Sequence, residues 1–412
     1  MPSRTHPAMA FGEFVCLIGA CMALNAVSID IMLPALPQLS SEFGLANTNL
    51  AQYVVAAFLI GTGISMLFYG PLADRFGRKP VIIVGLVLFI FAGILTTVAD
   101  SFPALLVARV LQGVGAGAPR VLAISVARDR YAGAQMARVM SFATMVFMVG
   151  PVLAPSFGYV ILQTAPSWRW VFGTLAVLGG ALLLWVMLRL PETLSPDNRL
   201  TLTVRAVYSA YRQTWTNRRC AGYMLALSLV VGAHMGFIFS SKQIFDVVFQ
   251  SEKLYPILFA AIALMTGAAA FANSKLVRRV GMRRLAVAGL QGIIVINIFH
   301  LGLDFAGHES LPVFMLLQGA SVFTFGLLAA NLNAMVMEPM GHIAGTASSM
   351  VNFFSTIVST VVGLLIGQMF NGSVIPLNLA YVVLAVASLV IAYYTEKPPQ
   401  YASSDLPPPS GE

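Results

Sequence analysis

Long apolar segments alternate with short polar turns along almost the whole chain. Each segment is about 20 residues long, which is enough to cross ~30 Å of hydrocarbon as an α-helix. A transmembrane β-barrel would alternate polar and apolar residues at every second position, and these segments do not. The pattern therefore predicts an all-α integral membrane protein with twelve spans, at approximately residues 12–34, 49–70, 80–99, 103–126, 136–161, 169–190, 220–247, 254–274, 284–304, 311–337, 343–370 and 375–394.

One longer polar stretch interrupts this series near its middle. Residues 191–219 carry arginines at positions 199, 205, 212, 218 and 219. This stretch divides the chain into an N-terminus (1–11), an N-terminal six-helix half (12–190), the connector (191–219), a C-terminal six-helix half (220–394) and a proline-rich tail (395–412). The composition of the tail predicts that it is disordered.

The two halves share short sequence matches, which indicates an internal duplication. The segment LADRFGRK at 72–79 corresponds to LVRRVGMR at 276–283, about half a chain length further on. In the same way, LQG at 111–113 corresponds to LQG at 317–319. Two matches at nearly the same offset predict two pseudo-symmetric six-helix halves.

Composition and charge support this prediction and exclude other classes of protein. The chain is 58% hydrophobic and only 10% charged, whereas soluble domains carry about 25% charged residues. The net charge of +8 is concentrated in alternate loops, so we attribute it to membrane topology and not to nucleic-acid binding. This positive-inside pattern predicts that both termini and the connector lie in the cytoplasm. The three cysteines lack metal-binding spacing and the chain has no P-loop, so we expect no metal, cofactor or ATP use.

The loop between spans 2 and 3 carries a specific motif. The segment GPLADRFGRK at 70–79 resembles the G-x-x-x-D-R-x-G-R-K signature of the major facilitator superfamily. That resemblance implies a twelve-helix secondary transporter with a cytoplasmic gate, formed here by Gly70, Asp74, Arg75, Gly77, Arg78 and Lys79. Gly77 suits a tight turn with positive φ, and Asp74 can pair with an arginine or a helix N-terminus. Arg278 stands at the equivalent of Asp74 in the second copy, so we expect the first half to carry the gate.

Two charges inside the first half are candidates for proton coupling. Arg109 begins a segment (RVLQGVG) that resembles the R-x-x-Q-G-x-G motif of proton-coupled drug exporters. Asp30 is the only acid well inside a predicted span, and DIMLP at 30–34 resembles the end of helix 1 in bicyclomycin/chloramphenicol-type exporters. Helical rise places them ~10 Å and ~8 Å outward of their helix centres, so we expect a pair in which Asp30 carries the proton. The structural alternatives are a fixed packing charge for Arg109 and a capping acid for Asp30.

Further polar and small residues are assigned to the transport path. Arg120 lies eleven residues after Arg109, close to three full turns, so both should share one face of helix 4. Arg120 is either a cavity cation or a side chain that extends to the interface. The candidate cavity residues are Asn25, Gln112, Arg120, His234, Lys242, Asn331, Asn333, Asn352 and Phe353, although the later ones equally suit helix packing. Segment 150–158 resembles the helix 5 motif of antiporters through Gly150, Pro151, Pro155 and Gly158, where we expect kinking and close packing.

These resemblances imply an exporter in the bacterial inner membrane, driven by protons and acting on small amphiphilic compounds such as antibiotics. The expected partners are the substrate, protons and the lipid bilayer, with no nucleic acid, and the protein is expected to act as a monomer. An uptake permease, or an exporter dedicated to one metabolite, remains an alternative. No H-E-x-x-H or G-x-S-x-G motif points to an enzyme. Because the candidate cavity leans positive, we expect neutral, zwitterionic or anionic phenicol-like substrates to be preferred over quaternary ammonium compounds.

Overall fold

The structure is a computed structural model that describes residues 9–165, 167–195, 197, 199 and 204–396. This part of the chain is helical and contains no strand. Its helices are α1 (Phe11–Asp30), α2 (Leu36–Glu42), α3 (Tyr53–Phe76), α4 (Arg78–Thr97), α5 (Phe102–Arg130), α6 (Gly133–Thr164), α7 (Arg169–Arg189), α8 (Val204–Thr216), α9 (Arg218–Gln243), α10 (Tyr255–Val280), α11 (Met282–Phe305), α12 (Leu311–Met337), α13 (Ala344–Gln368) and α14 (Ile375–Glu396).

Twelve helical segments are long and apolar enough to cross a membrane, at the positions that the apolar runs predicted. The first of them combines α1 and α2 through a 3₁₀ turn at Leu33–Ala35. The seventh extends α9 by a π-helical turn at Ile244–Val248. Residues 1–8 and the predicted disordered tail beyond Glu396 lie outside the described residues.

Helix pairing repeats between the two halves. In the first half α3 and α4 pack on α5, α1 packs on α6, and α4 packs on α7. In the second half the equivalent helices make the equivalent pairs: α10 and α11 pack on α12, α9 on α13, and α11 on α14. Two pairs join the halves, α3 with α13 and α6 with α10, and each is the counterpart of the other. This arrangement confirms the predicted pair of pseudo-symmetric six-helix halves.

The matched loops of the two halves also adopt the same conformation. Gly77 ends α3 with φ 101° and ψ 157°, and Gly281 ends α10 with φ 88° and ψ 151°. A positive φ is a conformation that glycine adopts readily and other residues rarely do. The glycine predicted for a tight turn therefore serves that purpose in both copies.

The helix α8 lies on the face of the bundle that we call the connector face, where α3, α5, α7 and α14 also end. Because α8 is amphipathic and short, the long apolar runs of the sequence did not predict it. The Tyr211 hydroxyl donates to the Leu67 carbonyl of α3 at 2.9 Å. The Trp215 ring lies 5.0 Å from the Phe354 ring of α13. The connector thus contacts both halves at this face, and the opposite end of the bundle is called the far face below.

Candidate functional site

Asp30 is the last residue of α1 and lies where the two halves meet. Its side chain is buried, with 5% of the residue exposed, and it makes no hydrogen bond or ion pair with the described residues. The 3₁₀ turn that follows Asp30, Leu33–Ala35, contacts α9 of the second half. Asp30 is therefore a buried acid without a cationic partner, placed beside a helix of the other half.

Packing against α6 holds the backbone beside Asp30 in place. A Cβ atom at Gly158 would overlap the carbonyl oxygen of Ile31, so only glycine allows this approach. Gly150 approaches Val27 of the same helix, and Pro151 and Pro155 lie within α6 between the two glycines. The helix 5 motif therefore packs against the end of α1 that carries Asp30. We attribute its residue types to this close contact.

Arg109 is completely buried inside the first half. Its Nη1 donates to Gln112 Oε1 at 2.6 Å, and its Nε donates to the Val54 carbonyl at 3.3 Å. Its Nη2 donates to the Ser28 carbonyl at 3.1 Å and contacts Met32 Sδ at 3.1 Å. The guanidinium also lies between two rings, 4.4 Å from the Phe58 centroid and 5.3 Å from that of Phe172.

The expected ion pair between Asp30 and Arg109 is not formed in this structure. Arg109 of α5 binds Ser28 of α1 and Met32 just beyond the end of α1, two residues before and two residues after Asp30. The two charged residues are therefore at comparable depth, as predicted, but Arg109 reaches α1 on a side that the Asp30 carboxyl does not occupy. Arg109 is enclosed by α1, α3, α5 and α7, whereas Asp30 is near the second half. Arg109 acts as a fixed cation in the packing of the first half.

Arg120 lies at the centre of a second polar group. Its Nη1 donates to Asn25 Oδ1 of α1 at 2.6 Å, and Asn25 Nδ2 donates to Thr62 Oγ1 of α3 at 3.2 Å. The Thr62 hydroxyl in turn donates to carbonyls of α3 and α5. Both Arg109 and Arg120 reach α1, as their predicted common face requires. Arg120 forms no ion pair with a described carboxylate, so it is a charged group held only by neutral ones.

Lys242 and His234 were predicted to add positive charge to the cavity, and their contacts in the structure differ from that prediction. Lys242 Nζ lies 2.6 Å from Asp246 Oδ2 and 3.9 Å from Glu252 Oε1, so its charge is already paired. The His234 ring stacks on Phe325 with centroids 4.3 Å apart. The interior is therefore less positive than the sequence suggested, and Arg120 carries most of the excess.

The remaining predicted cavity residues separate into two groups. Gln112 and Asn331 belong to helix packing: Gln112 accepts from Arg109, and Asn331 Nδ2 donates to Asn273 Oδ1 at 2.7 Å. Asn333 and Asn352 are exposed towards the connector-face ends of α12 and α13, and Phe353 is half-buried beside Asn352. Of these five residues, only the second group is exposed or half-buried.

The predicted gate residues form an ion-pair network on the connector face. Arg78 is nearly buried, with Nη1 2.5 Å from Asp74 Oδ1 and Nε 3.2 Å from Asp129 Oδ2. Glu192 accepts from the backbone N–H groups of Arg78 and Lys79, at 2.9 Å and 3.1 Å, and so caps the start of α4. Asp129 and Glu192 were not identified as gate residues from the sequence.

Among the described residues, Gly70 of the gate lies against the second half. A Cβ atom at Gly70 would lie 3.2 Å from Ser349 Oγ of α13, whereas Asp74 bonds within its own half. Arg75, also in the motif, has its guanidinium carbon 5.1 Å from the centroid of the Phe76 ring. In this conformation the ion pairs therefore organise the first half, and Gly70 packs beside the second half.

A cluster of neutral amides joins the two halves at the far face. Gln52 Nε2 donates to Gln243 Oε1 at 2.8 Å, and Gln243 Nε2 donates to Asn49 Oδ1 at 2.6 Å. Gln368 Nε2 donates to the Asn49 carbonyl at 2.7 Å, and Asn49 Nδ2 donates to the Phe370 carbonyl at 3.0 Å. We call these four side chains, Asn49, Gln52, Gln243 and Gln368, the far-face clasp. They hold the far face closed.

Comparisons with known proteins agree with this architecture. The sequence profile of the Major Facilitator Superfamily matches residues 18–363. The chain is similar to a bicyclomycin resistance protein homolog of Haemophilus influenzae, with 26% identity over 391 residues that cover 92% of this chain and 95% of the relative. It is also similar to multidrug resistance protein D of Escherichia coli, with 29% identity over 346 residues, or 82% and 84% of the two chains.

A similarity to solved structures supports the same fold. The crystal structure of a D-xylose-proton symporter superimposes with a TM-score of 0.73, covering 93% of this chain and 96% of that one. The two sequences are 16% identical, so this similarity concerns the fold alone.

Proposed function

The chain belongs to the major facilitator superfamily, a family of multi-pass membrane transporters and not of enzymes, and we propose that it exports small amphiphilic drugs in exchange for protons. The names of its relatives, a bicyclomycin resistance protein homolog and a multidrug resistance protein, support drug efflux. These names do not mention protons, and the proposed proton coupling rests on Asp30 instead.

The observation that carries the proposal is the position of Asp30. A buried carboxylate without a cationic partner costs free energy, and protonation removes that cost. Asp30 lies at the boundary between the halves, so a change in its charge acts directly on the contact that must rearrange during transport. Arg109, already bound to four acceptors, has no need of the Asp30 charge.

The transport cycle then follows from competition between proton and substrate. When the far face opens, Asp30 gains access to protons from that side and becomes neutral. The neutral side chain allows the halves to close at the far face, as the far-face clasp does in this structure, and to open towards the connector face. Substrate that enters there favours release of the proton. Each ligand weakens binding of the other by the same coupling free energy.

Arg120 sets the charge preference of the path. Like Arg109 it has neutral partners only, but Arg109 is completely buried whereas Arg120 is part-exposed, so an anionic or strongly dipolar substrate can replace Asn25 as its partner. A quaternary ammonium compound would meet Arg120 and no unpaired acid except Asp30. We therefore propose neutral, zwitterionic and anionic compounds, including phenicol-like ones, as the preferred substrates.

We further propose that the connector face is cytoplasmic. Lys and Arg concentrate in its loops, which is typical of the cytoplasmic side of bacterial inner-membrane proteins. Both ends of the chain then lie in the cytoplasm. Export runs from the connector face to the far face.

Transport in inverted membrane vesicles tests direction and coupling together. We expect vesicles with an acidic interior to accumulate a phenicol drug, and the protein carrying Asp30→Asn to lose this proton-driven uptake. The matched control is Asp246→Asn, which also removes one acid but leaves Asp30 in place. Drug uptake by right-side-out cells, with none by inverted vesicles, would favour the uptake permease. Full proton-driven transport by Asp30→Asn at equal expression would exclude Asp30 as the carrier.

A further inference from the structure

The second half contains a polar layer between three of its helices. Six side chains, at most 1% exposed, lie there in pairs spaced three residues apart, which places each pair on one face of its helix. They are Asn297 and His300 of α11, Gln318 and Ser321 of α12, and Asn378 and Tyr381 of α14, and we call them the polar seam. Two hydrogen bonds cross it, Asn297 Nδ2 to Ser321 Oγ at 3.1 Å and Gln318 Nε2 to the Tyr381 hydroxyl at 3.3 Å.

The described protein leaves much of the polar seam without partners. Asn297 Oδ1, Gln318 Oε1 and both amide atoms of Asn378 are buried and make no hydrogen bond with the described residues. More than nine in ten buried polar groups in proteins are hydrogen-bonded. Four unpaired atoms on three packed helices therefore indicate a shared ligand and not four independent defects.

Two acids lie at the far-face end of the polar seam. His300 Nε2 is 3.1 Å from Glu309 Oε1, with the two side chains 0% and 10% exposed. Asp304, one turn after His300, interacts electrostatically with both. His300 Nδ1, Asp304 Oδ2 and Glu309 Oε2 are buried without hydrogen-bond partners, and no described Lys or Arg pairs with the three residues. The Phe314 ring of α12 covers the imidazole, and His308 of the same loop is exposed.

We propose that the polar seam is a hydrated pocket and that His300, Asp304 and Glu309 bind an exchangeable proton at its far-face end. The unpaired atoms include the Asn378 amide nitrogen as well as several oxygens. A metal cation satisfies only acceptors, whereas water satisfies donors and acceptors together. The described residues also hold no His, Cys, Asp and Glu group suited to a metal ion. Two carboxyl groups without a described Lys or Arg partner, one of them 3.1 Å from the imidazole, can share one proton with that imidazole.

Replacement of Asn378 by leucine tests hydration in the purified full-length protein. Removing a polar group that truly lacks a partner leaves stability unchanged or raises it, whereas removing one bonded to ordered water lowers it. We expect Asn378→Leu to lower the melting temperature by a few degrees. Asn331→Leu is the matched control, because Asn331 bonds to Asn273 and to the Leu327 carbonyl. A melting temperature that is unchanged or raised by Asn378→Leu, and lowered by Asn331→Leu, would overturn the hydrated pocket.

Proton counting tests the second part of the proposal. A pH indicator in weakly buffered detergent solution measures how many protons the protein takes up between pH 8 and pH 5. We expect the variant that combines His300→Gln and Glu309→Gln to take up about one proton fewer than the unmodified protein, because the shared proton is lost with the two groups that hold it. Equal uptake by the two proteins would overturn the proton site. Neither measurement uses transport, so both remain informative if the exporter proposal fails.

Discussion

The repeat places two related glutamines at equivalent positions, and their surroundings differ sharply. Gln112 in the first half accepts from Arg109, whose other donors bind two backbone carbonyls and a methionine sulfur. Gln318 in the second half has Met315 at the position of that arginine, and its Oε1 has no partner among the described residues. In the first half a cation binds the glutamine oxygen. In the second half the equivalent oxygen has no partner among the described residues and is able to bind another ligand.

This difference shows that a duplicated fold does not impose duplicated chemistry. The helix pairs, the glycine turns and the glutamines are shared, so the duplicated sequence specifies the packing. The residue at one equivalent position, Arg109 or Met315, then decides whether a buried charge lies beside the glutamine. We expect the first half to be rigid around Arg109 and the second to exchange water and protons.

The strongest test of the comparison makes the first half resemble the second. In Arg109→Met, Gln112 Oε1 and the carbonyls of Ser28 and Val54 lose their donor. We expect a loss of unfolding free energy on the order of 3 kcal/mol. Hydrogen bonds to a charged group contribute roughly 1.5–3 kcal/mol each, and the acceptors that lose Arg109 are buried. Thermal unfolding in detergent measures the change.

The matched control is Met315→Leu in the second half. A volume-conserving apolar change there should cost less than about 1.5 kcal/mol. If Arg109→Met were no less stable than Met315→Leu, the cation would not hold the first half together, and the contrast between the halves would fail.

Sequence reasoning predicted depth along the helices well and direction around them poorly. The rise per residue placed Asp30 and Arg109 at one level, and Arg109 indeed contacts residues 28 and 32. Which side of α1 each group occupies depends on how the helices rotate against one another, and a single sequence does not encode this in a readable pattern. Lys242 shows the same limit, because its acid, Asp246, lies one turn further along a helix that widens into a π turn.

Elements set by local rules were predicted from the sequence and then observed. The twelve apolar helices follow from hydrophobicity over about 20 residues, and the turn at Gly77 follows from the needs of positive φ. The far-face clasp was not predicted, because four neutral amides in three separate segments carry no common motif. Contacts between the halves are thus the part that required a structure.

A smaller effect is expected from Arg120, the other arginine of α5 that reaches α1. Arg120→Gln keeps a hydrogen-bonding group near Asn25 but removes the charge. We expect resistance to anionic antibiotics to fall by about tenfold, equivalent to ~1.4 kcal/mol, while resistance to neutral ones is retained. A resistance panel in a pump-deficient bacterial host measures both. Equal losses for anionic and neutral drugs would show that Arg120 supports the fold and not selection.

The smallest expected effect compares the two loop copies. Asp74→Asn removes one of the two carboxylates on Arg78, which at a partly exposed site contributes up to about 1 kcal/mol. Arg278 is exposed and forms no ion pair with described residues, so Arg278→Ala should have no comparable effect. Transport rates at matched expression should fall a fewfold for Asp74→Asn alone. Equal rates in the two variants would show that the loops are functionally equivalent.

The far-face clasp has a consequence for how the protein responds to its medium. Its four side chains carry no net charge, so ionic strength has little influence on the bonds that close that end. On the connector face, Asp74, Arg78 and Asp129 hold the gate loop of the first half together, and their attraction weakens as salt shortens the Debye length from about 10 Å at 0.1 M to about 3 Å at 1 M. An ion-insensitive end and an ion-sensitive end then face two solutions of different composition. With the connector face in the cytoplasm, as proposed above, saline stress outside the cell would leave the far-face clasp intact, while the ionic strength inside the cell would set how firmly the gate loop of the first half is held.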